Sequence, residues 1–267
     1  MDEKEVLKRI AINNKAQLYG ILKENDCKYQ VYKYNGKFFP LEFIKKQILK
    51  QNISGTIRDN GVLQIKLFGE KSCGWQAILS SKDPVTITYD VEWNREKLPH
   101  IKNLNYDLRK YSLNKGHLLA KNFFDKKIIK SRKYKRSNNG TWSSFDSKKN
   151  LDNIYLQFQS ANNIQAEFEM SVTNYLNAHL YRKDLKVYYE VQPIFLHADD
   201  VVPIGNRIFA CSNYSNSLNY NSDFQIKYPL PFHVFIPNIE NKFKKCITNE
   251  SFYTSGDITH INMRKGK

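Results

Sequence analysis

A histidine and a pair of asparagines are the residues of this chain best suited to chemistry. His117 stands in NKGHLLAKNFFD, residues 114–125, after a glycine and before an apolar run. A neutral imidazole titrates near working pH, which suits a general base. Asn162 and Asn163 stand in SANNIQAEFE, where a helix is expected to begin. An amide oxygen is a ligand for a hard cation such as Mg²⁺, which keeps most of its waters and takes one or two oxygens from protein. Each group also has a plainer reading. His117 would simply pack beside a turn, and the asparagines would cap the helix, since Asn is a favoured N-cap.

A block of one charge lies between the two candidates. Lys126, Lys127, Lys130, Arg132, Lys133, Lys135 and Arg136 fall within residues 125–150, DKKIIKSRKYKRSNNGTWSSFDSKKN. Backbone phosphates bind such a block through counterion release, with steep salt dependence and no sequence preference. Tyr134 and Trp142 add rings on which exposed bases stack. The plainer reading here is a long solvated loop. The whole chain leans the same way, with 42 Lys and Arg against 26 Asp and Glu, +16 over 267 residues. That surface points to nucleic acid ahead of an acidic membrane, because no basic amphipathic helix with an aromatic insertion face stands out. Cys27, Cys73, Cys211 and Cys246 lack CxxC spacing, which rules out a zinc ribbon and a dense disulfide framework. The opening MDEKEVLKRIAINNKAQLYG has no apolar signal core, and no run is long enough to span a bilayer. The expectation is a chain made without an export signal and cytoplasmic as written, with secretion or delivery as a toxin the alternative.

These groups work only if a folded frame brings them together. An apolar fraction of 41% and an aromatic share of 13% argue for a packed chain rather than a disordered one. Val6, Ile10, Leu18 and Leu22 predict a helix over 3–24. KYQVYKYNGKFFP predicts a hairpin turning at Asn35-Gly36. LEFIKKQILKQN reads as a short helix and GVLQIKLFG as a strand. Together these make an accessory α/β module over 1–75, read as a packing or partner-binding extension. Residues 76–267 then form the second domain. PVTITYDVEW is a strand, a loop leads to the strand carrying His117, and the basic stretch 125–150 is a loop or finger. A helix spans about 160–182, followed by the strands LKVYYEVQPIFL and FHVFIPNI. There are no internal repeats.

The order is therefore a strand with His117, a long loop, the short strand NIYLQF and a helix opening with SANN. That is the layout of a ββα-metal nuclease site, where a base deprotonates water and a cation stabilises the leaving oxygen and the pentacovalent phosphate. NKGHLLAKNFFD resembles the Asp-Arg-Gly-His segment of the DNA/RNA non-specific endonucleases. NIYLQFQSANNIQAEFE resembles the helix-entry segment of their streptococcal DNA-entry nuclease and streptodornase branch. LKVYYEVQPIF, DDVVPIGNRI and FHVFIPNIE are similar to that branch's closing strands, with their Val-Pro and Ile-Pro-Asn signatures. Five segments in order, over roughly residues 85–245, carry the resemblance.

The resemblance implies an α+β fold, with a ββα-metal nuclease core on a mainly antiparallel sheet beside the N-terminal module. It implies His117 as general base, Asn162 as the metal-binding asparagine, and Asn153 and Gln157 as polar residues supporting the site. Lys115 takes the usual arginine position, where it meets phosphate as a point charge without a bidentate fork. Gln165 and Glu167 fit the helix pattern as residues behind the ligand. The cofactor is Mg²⁺, with Mn²⁺ as a substitute. Two positions depart from the pattern. Asn114 replaces the usual aspartate, and the glutamate further along the helix has no counterpart near Leu176 and Asn177. Glu167 and Glu169 are the acids on the early helix that compensate. The implied activity is metal-dependent endonucleolytic cleavage of DNA and RNA, as a toxin, a defence effector or a nutritional enzyme, with an inhibitor or immunity protein as a partner. The competing reading, drawn from the two departures, is a catalytically silent nucleic-acid-binding protein. His100, His179, His197, His233 and His260 receive no role.

Overall fold

A computed structural model of the chain describes residues 1–23, 30–42, 62–67, 71–80, 85–86, 113–126, 129–130, 133–135, 142–144, 153–196, 202–214 and 225–240. In chain order the elements are α1 (Glu3–Arg9), α2 (Lys15–Lys23), β1 (Phe39–Pro40), β2 (Val62–Leu67), β3 (Lys71–Leu79), β4 (Val85–Thr86) and β5 (Leu113–His117). They continue with α3 (Lys121–Asp125), β6 (Ile129–Lys130), β7 (Lys133–Lys135), β8 (Trp142–Ser144), β9 (Ile154–Phe158) and α4 (Gln159–Ala178). The last three are β10 (Val187–Ile194), β11 (Gly205–Ser212) and β12 (Phe232–Pro237).

The central sheet has the order β1-β12-β11-β10-β3-β2, and every neighbouring pair is antiparallel. Successive side chains of a strand point to opposite faces, and here both faces are buried. Val187, Tyr189 and Val191 of β10, Ile208 and Ala210 of β11, and Val234 and Ile236 of β12 share one core with α4. The helix contributes Phe168, Val172, Tyr175 and Leu176, spaced to form one stripe. On the far face Ile194 and Phe235 pack with Val6, Leu18, Leu22 and Phe39.

The far face also carries a buried polar cluster. Arg207 pairs with Glu190, donates from Nε to Gln192 Oε1 at 2.8 Å, and lies 3.2 Å from His233 Nε2. The other ring nitrogen, Nδ1, meets the Glu42 carbonyl at 2.9 Å. Burial first, and then the charge of Arg207, push the imidazole of His233 down to about 3. It is therefore neutral, accepting from Arg207 and donating to Glu42.

These contacts bear on the expected division at residue 75. The boundary falls inside β3, and β1 and β2 belong to the same sheet as β10, β11 and β12. Helices α1 and α2 share their core with Ile194, Ile204, Phe235 and Ile239. The expected single helix over 3–24 is two helices. Asn14 Oδ1 accepts from the Gln17 main-chain N–H at 2.9 Å, and Gln17 Oε1 accepts from that of Asn13 at 2.7 Å. That reciprocal cap restarts the helix against an otherwise continuous apolar period. The Asn35-Gly36 turn is present: Gly36 has φ +93°, and Asn35 Oδ1 accepts from Lys37 and Phe38 at 3.1 and 3.0 Å. Within the basic stretch, β7 and β8 pair antiparallel as a short finger, while β6 pairs with β4 in parallel. The helix expected over LEFIKKQILKQN, apart from its first two residues, and most of PVTITYDVEW lie outside the described residues. Among the described residues no helix is long and apolar enough to cross a membrane.

Candidate active site

β5 and β9 form a two-stranded antiparallel ribbon in which Asn114 faces Gln157, Gly116 faces Tyr155 and His117 faces Ile154. β9 runs directly into α4, which folds back along β5. Asn114 Nδ2 donates to Gln159 Oε1 at 2.7 Å, and Gln165 Nε2 donates to the His117 carbonyl at 2.9 Å. Six helical residues rise about 9 Å and three strand residues extend about 10 Å, so the two cross-links match in length. Asn162 lies midway between them on the helix. His117 and Asn162 thus belong to elements bound together at two levels.

The glycine before His117 is required for space rather than for its backbone angles. A Cβ at Gly116 would lie 2.6 Å from Gln157 Oε1 and 3.2 Å from Gln157 Cβ. Gln157 and Tyr155 both bond to α4 through Gln165, so the 114/116 face of β5 is its helix face. By alternation Lys115 and His117 leave on the other face, about 7 Å apart along the strand. Both are partly exposed. β5 has no strand partner on its second edge among the described residues.

The helix begins at Gln159, with Phe158 in the cap position and no side-chain cap. Neither Asn162 nor Asn163 caps it, which removes the plainer reading of that pair. Asn163 is exposed and accepts from Gln159 Nε2 at 2.6 Å. The Asn162 side chain is partly exposed and makes no hydrogen bond among the described residues. Of the two asparagines, Asn162 is the one whose amide oxygen no described residue engages.

Buried amides hold this arrangement at three points. Asn153 is fully buried: its Oδ1 accepts from the Leu119 N–H at 2.7 Å and its Nδ2 donates to the Leu119 carbonyl at 3.0 Å. It clamps the chain two residues beyond His117, with both ends of its amide engaged by the Leu119 main chain. Asn238, in the Ile-Pro-Asn segment, accepts from Phe158 N–H at 2.8 Å. It donates to the carbonyls of Leu156 at 3.2 Å and Pro203 at 3.0 Å. The Val-Pro and Ile-Pro-Asn stretches therefore meet at the junction of β9 and α4. The third point is Gln165, whose Oε1 lies 2.6 Å from the Tyr155 hydroxyl, 2.6 Å from Asn206 Nδ2 and 3.0 Å from Gln157 Nε2.

The two helix acids separate. Glu167 is bound to Lys37 at 3.2 Å, Lys227 at 2.7 Å and the Tyr228 hydroxyl at 2.9 Å. Burial pushes its carboxyl up, but these donors outweigh that and hold it below the ordinary range. It fastens the N-terminal hairpin and the segment before β12 to the helix, away from β5. Glu169 is the acid on the site side: its Oε1 accepts from Gln165 Nε2 at 2.7 Å, and burial raises its carboxyl to about 8 against that hydrogen bond. Tyr155, Asn206 and Asn238 carry no warning in their spacing, although all three fall inside the segments that mark the resemblance, whereas Glu169 is one of the two helix acids expected to compensate. Of the basic block, Lys126 is exposed, Lys130 lies in β6 and Lys133 and Lys135 in β7, while Lys127, Arg132 and Arg136 lie outside the described residues. No group of three His, Cys, Asp or Glu residues suited to a metal occurs among the described residues.

No protein-family model matches the chain, and no curated protein matches it. Among solved structures, it is similar to NucA from Streptococcus agalactiae with magnesium bound, at 17% identity and a TM-score of 0.49, covering 86% of this chain and 92% of that one. The metal-free form of NucA gives 19% identity and a TM-score of 0.46, covering 84% and 89%. The Sda1 nuclease with zinc bound gives 13% and 0.31, covering 68% and 76%.

Proposed function

We propose that the chain is a metal-dependent, sugar-non-specific endonuclease with a ββα-metal core formed by β5, β9 and α4. The observation that carries this reading is the double cross-link between β5 and α4, which holds the strand of His117 beside the helix turn of Asn162. In this reading His117 takes a proton from water as the water attacks phosphorus in line, and the ester bond to the 3′ oxygen breaks to leave a 5′ phosphate. Lys115, on the same face, meets a phosphate oxygen as a point charge. The β7–β8 finger and its lysines bind the backbone without sequence preference.

The residues fit a hydrated hard cation. Asn162 offers an amide oxygen that no other described residue engages. Mg²⁺ needs only one or two such oxygens and keeps its waters otherwise, so a cluster of acids is not required. Held by Asn162, Mg²⁺ or Mn²⁺ would supply charge stabilisation to the departing oxygen and the phosphorane. Non-specific cleavage endangers the genome of the producing cell, so an inhibitor or immunity protein belongs to the same proposal.

Plasmid nicking tests it. The wild type should cleave DNA and RNA with Mg²⁺ and stop in EDTA. His117→Ala should abolish cleavage while DNA binding persists, and Asn162→Ala should raise the metal concentration needed. Full activity in His117→Ala would overturn the mechanism; binding without cleavage in the wild type, under Mg²⁺ and Mn²⁺ alike, would identify a silent nucleic-acid-binding protein instead.

A further inference from the structure

The cluster around Gln165 is buried, polar and ordered in one direction. The carbonyl of His117 can only accept, so the nitrogen end of Gln165 must face it, and the oxygen end faces inward. Tyr155, Gln157 and Asn206 must then each present a donor to that oxygen, as they do. The consequence is visible at the far ends of the two amides: Gln157 Oε1 and Asn206 Oδ1 are buried with no protein hydrogen-bond partner among the described residues. Unpartnered buried acceptors destabilise a fold, whereas apolar groups of the same shape are close to neutral. A core selected for stability alone has no use for this arrangement. What it provides is direction, because Asn206 belongs to β11 of the central sheet and Gln165 reaches the main chain of His117.

We propose that Asn206 and Tyr155, acting through Gln165, are positioning residues that fix the main chain of His117 against α4. The proposal rests on the nuclease reading for its catalytic consequence, but its geometric content stands apart from that reading. Residues behind a catalytic group typically change activity by roughly ten- to a hundredfold when removed. Glu169 shares the nitrogen end of Gln165 with His117, so the same amide also couples this acid to the site.

Two readouts on the full chain test the assignment. In Asn206→Leu the donor to Gln165 is lost at nearly constant shape, and Tyr155→Phe is the milder variant should it fold poorly. Amide hydrogen exchange in β5 should quicken at least about tenfold, while exchange in β10 and β11 stays unchanged. In plasmid nicking, kcat should fall at least about tenfold with KM within about twofold of wild type. Unchanged exchange in β5, or kcat kept within about twofold in an active protein, overturns the proposal. A wild type inactive with every divalent cation would end the nuclease reading, and the exchange data would still decide the positioning role.

Discussion

Replacing Glu169 by glutamine isolates one buried proton and tests the electrostatics behind the site. Folding raises this carboxyl from its ordinary 4.5 to about 8, chiefly by burial. Between those values the folded chain keeps a proton that the unfolded chain has released. The stabilisation is therefore complete below 4.5 and is lost as pH rises through the window. Each pH unit corresponds to about 1.4 kcal/mol, so the interval from pH 5 to pH 8 sets a ceiling of about 4 kcal/mol. Glu169 as a residue is only partly buried, and allowing for solvent screening about half of that should be observed, near 2 kcal/mol. Glu169→Gln cannot ionise, keeps an oxygen for Gln165 Nε2, and should not show this loss. Urea unfolding of both proteins at pH 5, 6, 7 and 8 measures the difference. The variant should gain about 2 kcal/mol on the wild type across the series. Curves that stay parallel to within about 0.5 kcal/mol would refute the claim that this acid is held neutral beside Gln165.

Three further outcomes follow from the contacts described. Asn153→Ala leaves the buried N–H and carbonyl of Leu119 without partners and should lower unfolding stability by about 2–4 kcal/mol in chemical denaturation. Gly116→Ala drives a methyl group into Gln157 and should destabilise by about 1–3 kcal/mol, with most of that loss recovered in the double variant carrying Gln157→Ala. His233 is held near 3 in the fold, so the unfolded chain takes up a proton first as pH falls below 6.5. From pH 6.5 to pH 5 this should remove about 2 kcal/mol of stability from the wild type relative to His233→Gln in the same unfolding assay.

Local signals reached the elements that lie along the chain. The Asn35-Gly36 turn is legible because an asparagine side chain and a positive φ settle a turn within four residues. The apolar stripe of α4 and the strands at Val187–Ile194 and Phe232–Pro237 are legible because their period is written in neighbouring positions. The break between α1 and α2 was equally local, yet it hides in the asparagine pair of Asn13 and Asn14, where capping prevails over an unbroken apolar period.

The candidate pair, His117 and Asn162, could be named from residue type and from a family resemblance. What the tertiary structure decided is how such groups are held and which acid accompanies them. Glu167 and Glu169 are two residues apart and indistinguishable in composition, but they leave the helix in different directions, one toward Lys37 and Lys227, the other toward Gln165. Asn206 meets Gln165 across 41 residues, and Asn238 meets Phe158 across 80. A hydrogen bond needs its partner within about 3 Å and correctly oriented. Spacing in a sequence governs that geometry over one or two turns of chain and no further, and beyond it the packing of sheet against helix chooses the partner.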